Sequence, residues 1–265
     1  MSPNLPSAID GPQLTLSDHP ADASSRRAAL LVVALSAGMF LALAPLAKVP
    51  LAQADWFIPL LQSTLIVNDL TTAALLFGQL RFSRQRAILV LASGYVFSAV
   101  LATIHMLTFP GVFSERGLLG AWAQTTGYLH VFWHMGLPVA VLAYTAMRQR
   151  RQKLVLPVTA AIVRALVVVA LLAGALAAFA TLGNDLLPPM LEGINYSSVF
   201  NVGRYGVWAV TAVAAVVLWK RRTHSVLDLW LLVMLCDSFF EIALVAIFNA
   251  GRYDVGFYAG RVYAT

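Results

Sequence analysis

Residues 157–182, PVTAAIVRALVVVALLAGALAAFATL, decide the fold, and Arg164 is the only charge in the stretch. A helix needs about 20 apolar residues to cross roughly 30 Å of hydrocarbon. A run this long and unalternating satisfies its backbone amides in a lipid environment only as a helix. Six further stretches read the same way: residues 28–48, 56–80, 87–108, 124–146, 203–219 and 226–248. The expected fold class is therefore all-α, a polytopic membrane helical bundle with seven complete transmembrane helices. Residues 256–265 turn apolar again and then stop, which reads as the start of an eighth.

The composition agrees. Hydrophobic residues make up 60% of the chain and charged ones 11%, against about 25% charged in soluble domains. The sequence pI near 9.8 invites a nucleic-acid reading, but the placement of the charge argues against one. Arg26 and Arg27 precede the first segment. Arg81, Arg84 and Arg86 follow the second, Arg148, Arg150, Arg151 and Lys153 the fourth, and Lys220, Arg221 and Arg222 the sixth. The opposite side carries only Lys48, Arg116, Arg204, Arg252 and Arg261. This asymmetry is the positive-inside pattern. It implies an inner-membrane-type protein with a cytoplasmic N-terminus, whose basic rim meets anionic membrane lipids. No basic face is joined to a nucleic-acid-binding motif.

Residues 1–25 hold Pro3, Pro6, Pro12 and Pro20 among Ser, Asp and Ala without apolar periodicity, and read as a disordered cytoplasmic tail. Residues 26–265 then form one integral-membrane domain. Ala42-Leu43-Ala44 mimics a signal cleavage site, but the apolar run before it is long and Pro45 follows the cut. Cys236 is the only cysteine, which leaves no intramolecular disulfide and no cysteine metal cage.

Any chemistry must come from polar groups inside the spans, because a charge there is costly and usually faces the bundle interior. Asp69, beside Asn68, lies midway along the second segment. His105 lies near the outer end of the third. His130 and His134 are four apart on the fourth segment, and Asp237 and Glu241 four apart on the seventh, so each pair shares a helical face. Counted from the outer boundary, His130 is level with Glu241 and His134 with Asp237. The expected site is a buried polar cluster in the outer half of the bundle. Asp69, Asn68, His105, His130, His134, Asp237 and Glu241 are its candidates for a ligand or a polar network. His105, His130, His134 and Glu241 offer the ligand types for a divalent transition metal, or histidine for a single haem. The same groups also form a proton-linked hydrogen-bond network without any cofactor. Ser225-x-x-Asp228 reads as a helix cap for the seventh segment.

Several functions fail on missing residues. Lys48, Lys153 and Lys220 all lie at helix ends, so a retinal Schiff base has no interior lysine. His130-Val131-Phe132-Trp133-His134 lacks the glutamate of a zinc-protease helix. No phosphate-binding loop or nucleophile elbow is present, and the expectation is that the chain is not an enzyme.

Leu65-Ile66-Val67-Asn68-Asp69-Leu70, Leu91-Ala92-Ser93-Gly94-Tyr95, His105 with Thr108-Phe109-Pro110-Gly111, Gln124-Thr125-Thr126 and Phe132-Trp133-His134 follow one another in order. The stretch from Asn249 to Arg261, NAGRYDVGFYAGR, closes the series. Together they resemble the bacterial membrane-associated sensor domain of the fourth type, over nearly everything from residue 28 onward. The resemblance implies an integral-membrane input domain of diguanylate cyclases and sensor histidine kinases, and a homodimer in a full-length relative. No cyclase or kinase output domain follows here. Two function classes stand: a sensory input module, and a transporter or channel that uses the intramembrane acids.

Overall fold

A computed structural model describes residues 19–54, 56–122, 124–183, 186–192, 195–221, 225–249 and 252–263. Helices dominate. In chain order they are α1 (Ala23–Leu43), α2 (Phe57–Ser83), α3 (Arg86–Thr108), α4 (Thr125–Gln149), α5 (Val158–Leu182), α6 (Ser198–Trp219), α7 (Val226–Ala243) and α8 (Val255–Tyr263). A 3-10 turn, Ala44–Leu46, extends α1, and a π-helical turn, Leu244–Phe248, extends α7. Between α5 and α6 a short hairpin pairs β1 (Leu191–Glu192) with β2 (Asn195–Tyr196).

Six elements are long and apolar enough to cross a membrane: α1 with its 3-10 turn, and α2 to α6. α7 is apolar too, but its 18 residues carry Asp228, Asp237 and Glu241. The first helix starts earlier than the apolar pattern indicates. Asp22 caps it by accepting a 2.8 Å hydrogen bond from the Ser25 amide, which draws Arg26 and Arg27 into the first turns. The tail reading therefore needs correction at residues 19–25. Pro20 bridges Ser225, and the Val226 amide donates to the His19 carbonyl, so the chain joins the bundle before α1 begins. Residues 1–18 of that tail lie outside the described residues.

α3 is the central helix and packs against α2, α4 and α5. α4 reaches α6, α6 reaches α7, and α7 is flanked by α1 and α8. The α3–α4 seam is close because small residues line it. A Cβ added at Gly94 would sit 2.4 Å from the Ala140 Cβ, and one at Gly136 2.5 Å from the Phe97 ring. α1 and α5 turn apolar side chains such as Leu35 and Leu171 outward, as helices in contact with lipid do.

One end of the bundle holds the arginine-rich turns, and polar contacts knit it together. Lys153 Nζ donates to the Ser83 carbonyl at 2.7 Å, and Arg148 to Gln85 Oε1 at 3.1 Å. At the opposite end the hairpin folds over α4, where Gln124 Oε1 accepts from the Met190 and Leu191 amides and the Tyr128 hydroxyl donates to the Pro188 carbonyl.

Candidate functional site

Helix α4 places His130 and His134 one turn apart, with ring centroids 4.0 Å from each other. His134 Nδ1 lies 2.8 Å from the His130 carbonyl oxygen. A carbonyl only accepts, so Nδ1 carries a proton. Nε2 of the same ring lies 2.8 Å from Glu241 Oε1 on α7, with both side chains more than nine-tenths buried. A hydrogen bond between those two atoms requires a proton, either on the imidazole facing a carboxylate or on the acid facing a neutral imidazole. The pair thus ties α4 to α7 through one shared proton.

This pair forms one wall of a chamber of about 350 Å³, within the roughly 300–1,000 Å³ range of small-molecule sites. Asp69 enters from α2, Tyr95 and Ser98 from α3, Trp133 and His134 from α4, Asp237 and Glu241 from α7, and Tyr263 from α8. Trp133 Nε1 donates to Ser98 Oγ at 3.0 Å, and the Ser98 hydroxyl donates onward to Asp69. Asp237 accepts from the Ser36 hydroxyl of α1. Among the described residues, Asp69 Oδ2 and Asp237 Oδ1 have no hydrogen-bond partner. The chamber therefore gathers three carboxyl groups and a histidine from α2, α4 and α7, and leaves two buried oxygens open to an occupant.

The cluster expected from the sequence divides in two. Asp69, His134, Asp237 and Glu241 line the chamber, whereas His105 and His130 line a smaller cavity toward the hairpin end. Asn68 belongs to neither cavity. It lies on the exposed face of α2, a helical step of about 100° from Asp69. The depth matching is also corrected by one turn, because His134 meets Glu241 and not Asp237. His134 lies 9 residues past the start of α4 and Glu241 7 residues before the end of the π-turn that extends α7, so the two helices do not begin at the same level.

The metal reading does not take shape. Among the described residues, no group of three or more His, Cys, Asp or Glu side chains is placed to hold a metal ion. His105, His130, His134 and Glu241 form a row. Gln62 Nε2 donates to His105 Nδ1 at 2.8 Å, the His105 and His130 centroids are 6.2 Å apart, and both His134 nitrogens are already bonded.

The sequence reading missed the arginines around the smaller cavity. Arg204 of α6 is 2% exposed and lies over the Tyr196 and Phe200 rings at 4.1 and 4.7 Å. Arg252 donates to Thr126 Oγ1 at 2.8 Å, and Arg261 of α8 lies over the Phe257 ring at 3.7 Å. Burial lowers the Arg252 guanidinium from its usual value and raises the Tyr196 phenol. Arg204 is the second residue of the apolar stretch 203–219 but lies almost two turns into α6, which begins at Ser198, so the apolar pattern alone carried little signal for its burial.

The family described as membrane-associated sensor, integral membrane domain (MASE4), matches residues 52–265. The chain belongs to this family. No curated protein and no solved structure matches the chain. Within the MASE4 match lie Asp69, His134, Asp237 and Glu241, while Ser36, which donates to Asp237, lies on α1 before the matched region. The family is a membrane sensor domain, so the chain is read as an input module with several membrane-crossing helices.

Proposed function

We propose that the chain is the sensory input module of a bacterial inner-membrane signalling protein, and that the chamber converts a signal into helix movement. The observation that carries the proposal is the buried 2.8 Å contact between His134 Nε2 and Glu241 Oε1, which one shared proton would hold together. Losing it, or drawing it onto an occupant of the chamber, sets α7 and the π-turn behind it free from α4. α8 packs on that π-turn, and so the movement reaches the segment that leads toward an output domain of cyclase or kinase type. In this reading α7 with its π-turn is the seventh crossing, α8 begins an eighth, and the chain performs no catalysis. Membrane lipids surround α1 and α5, and a full-length protein works as a homodimer.

The arginine asymmetry supports a cytoplasmic N-terminus. Reporter fusions after Arg150 and Lys220 read cytoplasmic, and those after Glu115 and Glu192 periplasmic; the reverse pattern contradicts the orientation. Function is tested by joining the chain to the following helix and cyclase domain of a related diguanylate cyclase. His134→Leu and Glu241→Leu then change cyclic di-GMP output by roughly 5- to 150-fold, the usual scale of coupling between sites. Unchanged output overturns the proposal. The unpartnered oxygens of Asp69 and Asp237 favour a second reading, a proton or cation path, which proton current in liposomes of the purified chain would support.

A further inference from the structure

The smaller cavity differs in sign from the chamber. Arg204, Arg252 and Arg261 gather around it, yet among the described residues none of the three forms an ion pair. Arg252 and Arg261 each make one hydrogen bond there, to Thr126 and to the Phe257 carbonyl, out of the five donors that a guanidinium offers. Arg204 donates to the Val245 carbonyl and to Asn201 Oδ1, and its buried Nε has no partner among the described residues. Glu241, which acts on Arg261, is already held by His134, and Asp254 acts on Tyr196 at the cavity wall without forming an ion pair with the three arginines among the described residues. Buried cations without a counter-charge are unfavourable, and the aromatic faces of Tyr196, Phe200, Phe109 and Phe257 offset only part of that cost.

We propose that this cavity, at the hairpin end between α3, α4, α6 and α8, binds a small oxyanion: a carboxylate or an inorganic oxyanion held by the forks of Arg252 and Arg261 beside Thr126. Planar guanidinium forks match such oxygens in a bidentate way. The space is about 20 Å³, room for about one water-sized group, so one anionic oxygen enters as the cavity stands, a whole oxyanion head requires the Arg252 and Arg261 side chains to part, and a nucleotide does not fit. His105 accepts from Gln62 at Nδ1 and keeps its proton on Nε2, which adds a neutral donor type and no negative charge. Arg261 also faces Glu241. α8 is seated without slack, since a Cβ at Gly260 would lie 2.4 Å from Val245 Cγ2. An anion on Arg261 therefore acts on the helix that borders the chamber. The site is separate from the chamber and stands whether or not the proton-sharing account of signalling holds.

The test is thermal unfolding of the full chain in nanodiscs of neutral phosphatidylcholine, titrated with sodium phosphate, nitrate or acetate at constant ionic strength against chloride. The expected result is a saturable rise in Tm with at least one oxyanion. Its apparent affinity falls about tenfold or more, the scale of about 1.4 kcal/mol, in Arg252→Gln and Arg261→Gln, and is unchanged in the exposed Arg150→Gln. Nanodiscs doped with phosphatidylglycerol distinguish the source. A rise without added oxyanion that both variants abolish assigns the anion to a lipid headgroup. If a glutamine variant does not fold, Thr126→Val replaces it, with a loss of about threefold. Equal, non-saturating shifts in wild type and variants, with no lipid effect, overturn the proposal.

Discussion

Asp228 and Asp237 stand on the same helix, and their surroundings are opposite. Asp228, fully buried at the first turn of α7, accepts from the Tyr144 hydroxyl at 2.7 Å, from Arg221 at 3.0 Å and from the Ser225 amide at 3.0 Å. The Ser225 side chain completes a capping box with it. Asp237 borders the chamber, takes one hydroxyl from Ser36, and leaves Oδ1 without a partner among the described residues. One acid is consumed by structure and the other is held ready. A fully satisfied buried group fixes a fold, whereas a half-satisfied one keeps free energy available for an occupant or a proton.

The largest expected effect lies at the satisfied acid. Asp228→Ala strands Arg221 and Tyr144 and opens the cap, and it lowers stability by about 3–5 kcal/mol. Thermal unfolding in detergent measures this, and a loss below about 1 kcal/mol would erase the contrast with Asp237. The next effect is at the shared proton. Glu241→Leu leaves His134 Nε2 buried and unpartnered, at a cost of about 1–3 kcal/mol. Glu241→Gln costs less, because its amide donates to Nε2 of a neutral His134 and only the shared proton disappears. Equal losses in the two variants would mean that the contact is packing alone. The smallest stability effect belongs to Asp69→Asn and Asp237→Asn, within about 0.5 kcal/mol of wild type, while the output of the cyclase fusion shifts. A large loss of stability in either would place these acids with Asp228 as structural groups.

Much of this was legible in the sequence. Runs such as residues 157–182 admit only one spanning form, so the helical membrane bundle follows from length and composition. The capping box at Ser225 and Asp228 was legible for the same reason, since it is a local contact set by spacing. The inward acids and histidines were visible as costly charges in apolar segments. Their partners were not, because pairing depends on how far each helix projects. α4 and the π-turn that extends α7 do not begin at the same level, so His134 meets Glu241 and not Asp237. Asn68 stands outside the chamber because adjacency in sequence puts a residue on another face of a helix. Arg204, Arg252 and Arg261 read as scattered outer charges, since α6 and α8 converge only through the fold.

The central claim is that one proton between His134 and Glu241 carries the signal, and a double-mutant cycle on the cyclase fusion tests it most directly. Cyclic di-GMP output is measured for His134→Gln, Glu241→Gln and the double variant. If the two side chains act as one unit, either single change shifts output as far as both together, giving a strongly non-additive cycle. Additive shifts, or three outputs equal to wild type, would contradict the account.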